Sequence, residues 1–143
     1  MTPRPLRLSL LASVVLAATA FAGAPEEKIA QLGLTLPTAN APVANYVTAV
    51  RTGNLIFLAG HIPRDAAGKV IAGKVGRSAT EEDAAAAAKQ ATLALLATLK
   101  REVGDLGKVK RIVRVGGFVN GTDDFQNQPK VMNGCSDLLV AVF

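Results

Sequence analysis

The stretch Tyr46-Val-Thr-Ala-Val-Arg-Thr-Gly-Asn-Leu-Ile-Phe-Leu-Ala-Gly-His-Ile-Pro63 decides the fold of this chain. Two runs typical of strands, Tyr46 to Val50 and Leu55 to Ala59, flank Arg51-Thr-Gly-Asn54, in which Gly53 can adopt the positive φ that a tight turn needs. The sequence therefore predicts a β-hairpin. The second run has no polar residue, so both of its faces are expected to be buried, one under a helix layer and one under a neighbouring subunit.

A long helix is the strongest element after the hairpin. A loop with a short strand at about Lys69 to Ala72 precedes it. Ser78-Ala-Thr-Glu81 has the spacing of a capping box, and Thr80-Glu-Glu-Asp83 is an overlapping alternative. Alanine and leucine then recur at helical spacing from Glu81 to Val103, and Gly104 ends the pattern.

The last third predicts one strand and one helix. From Val109 to Val119 valines fall on one face, and Lys110 and Arg114 fall on the other. Gly116-Gly117 within this run indicates a bulge or a close backbone approach. A second helix, capped by Thr122, Asp123 or Asp124, is expected to begin around Phe125 or Pro129 and to reach the terminus.

The N-terminus has the pattern of an export signal. Arg4 and Arg7 precede an apolar run, and Ala20-Phe-Ala22 fits a cleavage site, so cleavage after Ala22 and a periplasmic or secreted protein are expected. An uncleaved anchor is the alternative, although the apolar run is short of the roughly 20 residues that span a bilayer. The predicted organisation is a signal (1–22), a short helix from Pro25 to about Leu32 with a proline-punctuated linker (23–42), and one domain (43–143).

Charge and cysteine content argue against several classes of partner. Loss of Arg4 and Arg7 lowers the formal charge from +5 to +3, which does not indicate a nucleic-acid partner, and no membrane association is expected after cleavage. The basic cluster has no interleaved aromatic residue on which bases could stack: Lys108, Lys110, Arg111, Arg114. Cys135 is the only cysteine and His61 the only histidine, so neither an intrachain disulfide nor a metal site is predicted.

The predicted order is hairpin, strand, long helix, strand, helix, which indicates an α+β domain with two main helices packed on one face of a mixed sheet. In this order the chain resembles the Rid/YjgF family of imine and enamine deaminases. The resemblance rests on the hairpin and the long helix, on Val113-Arg-Val-Gly-Gly-Phe-Val119 followed by Asp124-Phe125, and on Gln128-Pro-Lys-Val-Met-Asn-Gly-Cys-Ser-Asp-Leu-Leu139.

The resemblance implies a chorismate-mutase-like fold, a homotrimer with ligand pockets between subunits, and no cofactor. It implies hydrolysis of intermediates such as 2-aminoacrylate, a small substrate with a carboxylate, to a 2-keto acid and ammonia. The family's carboxylate-binding arginine lies on a strand after the second helix, and an acid that helps to place water lies later. Neither position falls within these 143 residues. The expectation is therefore a domain without its C-terminal strands, poorly soluble and impaired in activity.

Three residues are predicted by the resemblance to line the substrate pocket: Tyr46 on the first strand, Gly60 at the end of the second strand, and His61 beside it. His61 stands where the family commonly has glutamine, Ala59 where it often has serine, and Pro129 where it has asparagine. The catalytic residues are not identified.

Each candidate also has a plainer interpretation. Tyr46 equally fits a half-buried strand aromatic, and Gly60 a turn glycine. His61 lacks a visible partner for acid–base chemistry, and Cys135 fits a small buried residue. Asn133-Gly134 fits either a pocket wall or a helical irregularity. The alternative function is a non-catalytic oligomeric module that binds small ligands. Ribonuclease activity is supported only by analogy with some members of the family.

Overall fold

The structure is a computed structural model that describes residues 24–39 and 45–143. The predicted signal (1–22) and the end of the proline-punctuated linker (40–42) lie outside these residues. The elements, in chain order, are α1 (Pro25–Gln31), β1 (Ala49–Thr52), β2 (Leu55–Leu58), α2 (Glu81–Val103), a 3-10 turn (Leu106–Lys108) and α3 (Gln128–Val142). The fold class is the predicted α+β.

The hairpin is confirmed, although β1 begins three residues later than predicted and extends to Thr52. β1 and β2 pair antiparallel, with Ala49 opposite Leu58 and Thr52 opposite Leu55. Only Gly53 and Asn54 form the loop, and Gly53 has the positive φ of +54° that its sequence position predicts.

One face of the hairpin is covered by the chain itself. Ile56 and Leu58 pack against the hydrophobic core, whereas Leu55 and Phe57 are 46 % and 59 % exposed. Within one chain, only one of the two faces of β2 that were predicted to be buried is covered. A subunit over the second face stays a prediction.

The long helix α2 has the predicted bounds, and the structure decides between its two candidate caps. The Asp83 N–H donates to Thr80 Oγ1 at 3.0 Å, and the Thr80 N–H donates to Asp83 Oδ2 at 3.1 Å. These reciprocal bonds form the capping box, so the Thr80 alternative is the correct one. Gly104 ends the helix with φ +79°.

The core lies where α1, α2 and α3 meet. Its buried members are Ile29, Leu93, Leu96, Leu99, Leu106, Leu138 and Val142. α3 packs along α2, and the two backbones come close together at Gly134: a Cβ built there lies 2.8 Å from the Ala85 carbonyl carbon and closer still to its oxygen. Asn133-Gly134 is therefore a helix-crossing point and not a pocket wall. Cys135 beside it is buried, as its plainer interpretation predicts.

Two predicted strands do not form. Lys69 to Ala72 contributes only a single bridge, between Arg64 and Val70. Val109 to Val119 is not a strand because no second strand lies beside it in the described part of the chain. Residues 110–119 make no backbone hydrogen bond to another described residue.

The same segment leaves large apolar side chains in solvent, since Val113 is 68 % exposed and Phe118 is fully exposed. The predicted close approach does occur within it. A Cβ at Gly117 would overlap the side chain of Met132 on α3.

The start of α3 also differs from prediction. Its N-cap is Asn127, which makes no side-chain capping bond. The Thr122 carbonyl oxygen instead accepts a hydrogen bond from the Phe125 N–H at 3.0 Å, so the predicted capping residues form a separate turn before the helix. No helix in the described ranges is long and apolar enough to cross a membrane.

Candidate functional site

The three predicted pocket residues lie at the open end of the hairpin, opposite the Gly53 turn. The Ala59 N–H donates to the Thr48 carbonyl at 2.9 Å, which continues the strand register by one pair. Gly60 and His61 follow Ala59 directly, and Tyr46 precedes Thr48 by two residues. The pairing of the strands therefore brings Tyr46, Gly60 and His61 to one end of the hairpin.

Tyr46 is accessible in this chain. It precedes β1, and its residue surface is 46 % exposed. Tyr46 thus lies just outside the strand, and about half of its surface is buried, as its plainer interpretation expects. A phenol in this position is free to meet a ligand or another subunit, since its hydroxyl bonds to no described residue.

Gly60 has open space around it and an unpaired backbone. Its φ is not positive, and a Cβ built on it meets no atom within 4 Å. No described residue bonds to its N–H or its carbonyl. The chain's own conformation and packing do not require glycine here, so the turn-glycine interpretation loses its physical reason. The Gly60 peptide unit thus has space beside it for a ligand.

His61 is held at both ring nitrogens. Nδ1 lies 2.9 Å from the Ala59 carbonyl oxygen, and Nε2 lies 2.8 Å from Thr98 Oγ1 on α2. A general base needs a lone pair that is free to take a proton from substrate or water. Neither nitrogen offers one without breaking a hydrogen bond, so the imidazole serves as a link between the strand end and α2.

Two residues of α2 that the sequence analysis did not single out reach this end of the hairpin. Thr98 binds His61, and one helical turn later the guanidinium of Arg101 donates to the Thr48 hydroxyl and approaches Glu102 at 3.6 Å. Arg101 thereby brings a positive charge to the strand that carries Tyr46. The only local signal for Thr98 is a polar side chain on an otherwise aliphatic helix face.

A cleft of about 470 Å³ lies at the start of α2. Its lining includes Arg77, Thr80, Glu81, Asp83 and Phe125. Its acidic groups are already engaged within the chain: Asp83 caps the helix, and Glu81 Oε1 accepts from Asn127 at 2.6 Å. The acidic groups of the cleft are thus occupied within the chain, whereas the Arg77 guanidinium bonds to no described residue.

Glu81 ties the beginnings of α2 and α3 together. Lys130 Nζ lies 2.8 Å from Glu81 Oε2. The hydrogen bond from Lys130, followed by that from Asn127, holds the pKa of the Glu81 carboxylate below its ordinary value of 4.5. The same hydrogen bond raises the pKa of Lys130 above 10.5.

These shifts predict a pH-dependent contribution to stability. Because the folded pKa of Glu81 is depressed, its contribution is present above pH 4.5 and is lost as pH falls through the folded value. Because the pKa of Lys130 is raised, its contribution is present below pH 10.5 and is lost as pH rises beyond it. We expect Lys130→Met to lower the urea midpoint slightly at pH 7, with the difference from wild type vanishing in acid below pH 4.5.

Lys110→Met is the matched control for this experiment, since Lys110 is exposed and forms no ion pair with a described residue. Its urea midpoint should follow wild type at every pH. A difference between Lys130→Met and wild type that persists unchanged into strong acid would contradict the role of the Glu81 carboxylate.

Within the described ranges no group of three or more histidine, cysteine, aspartate or glutamate side chains could hold a metal ion. Cys135 is a free thiol in the core and is not placed for nucleophilic attack on a ligand in solvent. The chemistry available at the hairpin end therefore comes from a phenol, an unpaired peptide unit, an orienting imidazole and a guanidinium.

Three kinds of comparison bear on this arrangement. Residues 26–143 match the family model described as "YjgF/chorismate mutase-like, putative endoribonuclease". Protein TCP17 of Trypanosoma cruzi is 38 % identical over 113 residues, which make up 79 % of this chain and 71 % of TCP17.

Two crystal structures share the fold. A protein of Shewanella oneidensis MR-1 described as a "putative endoribonuclease" has a TM-score of 0.80 at 33 % identity, over 84 % of this chain and 80 % of its own. Atu1372 of Agrobacterium tumefaciens, a protein of unknown function, has a TM-score of 0.75 at 36 % identity, over 83 % of this chain and 74 % of its own. Both similarities extend well beyond the hairpin.

Proposed function

Because the chain belongs to the YjgF/chorismate-mutase-like family, we propose that it acts in the hydrolysis of reactive enamines and imines, such as 2-aminoacrylate, to a 2-keto acid and ammonia. The observation that carries the proposal is the Gly60 peptide unit. It is exposed, unpaired among the described residues, and surrounded by open space at the hairpin end that carries Tyr46.

The reaction suits a site of this kind. The enamine 2-aminoacrylate tautomerises to an imine, water adds to the C=N carbon, and the C–N bond then breaks to release ammonia and leave pyruvate. A protonated imine is already electrophilic, so the protein mainly has to hold the substrate and place a water. In this proposal the substrate and the water are positioned by the Gly60 N–H and carbonyl and by the Tyr46 hydroxyl. The guanidinium of Arg101 attracts the substrate carboxylate.

We propose that the working form is a homotrimer in which the exposed face of the hairpin meets a neighbouring subunit. Val50 and Phe57 form a cross-strand pair on this face and are 54 % and 59 % exposed. Contiguous exposed apolar surface of this kind is typical of protein–protein contacts. The adjacent hairpin end would then lie beside a partner subunit, which can supply further groups to the pocket.

The test is release of pyruvate from freshly generated 2-aminoacrylate by the purified chain, compared with buffer. Gly60→Ala should retain the wild-type melting temperature, because its Cβ meets nothing in the chain. It should lower kcat/KM about ten- to hundredfold by displacing the substrate. Gly116→Ala is the matched control and should behave as wild type. A Cβ built on Gly116 also meets no atom within 4 Å, and the φ of Gly116 is not positive.

A non-catalytic module that binds small carboxylates is the second candidate. It is favoured by the double hydrogen bonding of His61, which leaves no free imidazole lone pair at the hairpin end. Saturable binding of pyruvate that Gly60→Ala weakens, with no acceleration of 2-aminoacrylate hydrolysis by wild type, would select this candidate and reject the deaminase. RNA cleavage, which the description of the matching family model names, is tested on the same preparation with metal-free buffer and a contaminant control.

A further inference from the structure

Thr98 uses its hydroxyl differently from the other buried threonine of α2. Thr92 and Thr98 are each 1 % exposed. Thr92 donates to the Ala88 carbonyl four residues earlier at 2.8 Å, which is the usual bond of a threonine inside a helix. The Thr98 hydroxyl instead lies 2.8 Å from His61 Nε2, on a loop 37 residues away in the sequence.

The partners of His61 determine its tautomer. A carbonyl oxygen only accepts hydrogen bonds, so the Nδ1 that lies 2.9 Å from the Ala59 oxygen must carry a hydrogen. In the neutral ring Nε2 then carries the lone pair, and the Thr98 hydroxyl must be its donor. The two bonds together specify one tautomer and one ring orientation.

The imidazole also ends the pairing of the two strands. In an antiparallel hydrogen-bonded pair the two residues exchange both backbone bonds. Ala59 donates to the Thr48 carbonyl, but the reciprocal bond from the Thr48 N–H is absent and the Ala59 oxygen accepts from His61. The strand pairing therefore stops at Ala59, and the next peptide unit, that of Gly60, makes no hydrogen bond to a described residue.

We propose that Thr98 is a positioning residue. By donating to Nε2 it holds neutral His61 in the Nδ1–H tautomer, and through the Ala59 carbonyl it sets the place of the Gly60 peptide unit. The consequence for ligands rests on the proposed function, in which Gly60 contacts the substrate. The orientation of the ring and of Gly60 does not depend on that function.

The test uses the fact that His61 is the only histidine in the chain. In ¹⁵N-histidine-labelled protein at a pH where the ring is neutral, wild type should show Nδ1 as the protonated nitrogen and Nε2 as a hydrogen-bonded acceptor. Thr98→Val, which has the same shape without the hydroxyl, should move the Nε2 resonance towards that of an unbonded lone pair and shift the Gly60 amide. Thr98→Ser should restore both resonances, and Thr92→Val should leave both unchanged.

A wild-type ring that is mainly the Nε2–H tautomer, or a Thr98→Val spectrum identical to wild type, would overturn the proposal. If the chain turns over 2-aminoacrylate, Thr98→Val should lower kcat/KM about tenfold, or 1.4 kcal/mol in transition-state stabilisation, while Thr98→Ser and Thr92→Val stay near wild type. Equal activity of Thr98→Val and wild type would remove the functional consequence. If wild type shows no turnover, the deaminase proposal fails and the resonances still decide the role of Thr98.

Discussion

Gly134→Ala should destabilise the domain by about 2 kcal/mol or more, although alanine is the better helix former. In an exposed helix position this substitution would stabilise by about 1 kcal/mol. At Gly134 the new Cβ would overlap the carbonyl of Ala85, which is backbone and cannot rotate away. The two long helices must move apart, and such overpacking typically costs about 1–3 kcal/mol, occasionally more. The measurement is the urea-unfolding midpoint and slope.

Asn133→Ala is the control for this prediction, because Asn133 is the preceding residue of α3 and is exposed. Its free energy of unfolding should stay within about 0.5 kcal/mol of wild type or rise. If Gly134→Ala proved as stable as wild type, the helices would not cross where the structure places them. Because a loss of stability is expected at Gly134 and none at the adjacent Asn133, the comparison is independent of general effects of alanine on helices.

The elements that the sequence predicts well carry their own local signals. α2 is bounded by a capping box at Thr80 and a positive-φ glycine at Gly104, and both signals act within one turn of the helix. The hairpin loop likewise depends on Gly53. In each case the residues that decide the element lie inside it, so no knowledge of the rest of the molecule is needed.

The Val109–Val119 segment shows what a pattern alone cannot predict. Alternating valine and basic residues favour an extended chain, but a strand also needs a partner for its backbone groups. Such a partner is absent among the described residues, where the segment keeps its valines partly in solvent. The prediction failed because a β-strand needs hydrogen bonds to a second segment, and the pattern of valines and basic residues describes only the first segment.

The candidate site could be predicted only in part from the sequence, because it also depends on contacts between distant segments. The predicted Tyr46, Gly60 and His61 do lie at one end of the hairpin, because each lies within three residues of the end of one of its two strands. Thr98 and Arg101 are 37 and 53 residues from their partners, so only the packing of α2 on the hairpin reveals them. The role of His61 changes with that contact, from a free acid–base candidate to a link held at both nitrogens.

The proposed homotrimer predicts that Phe57→Glu will convert the protein to monomers at micromolar concentration. Phe57 lies at the centre of the exposed hairpin face, paired with Val50 across the strands. Burying a carboxylate without a partner costs several kcal/mol, and a symmetric trimer would incur this cost in every subunit contact. The fold of one chain should survive, since Phe57 is 59 % exposed there. Sedimentation velocity measures the change in oligomeric state, and circular dichroism checks the fold.

Val140→Glu is the matched control for this experiment. Val140 is 81 % exposed on α3, which makes no contact with the hairpin strands, so a carboxylate there should leave the trimer intact. Pyruvate release should fall with the trimer in Phe57→Glu and persist in Val140→Glu, because the proposed pocket lies between subunits. A Phe57→Glu protein that sediments as wild type would show that this face is not the subunit contact. A wild type that is itself monomeric would reject the trimer, and the pocket would then have to be completed by the single chain.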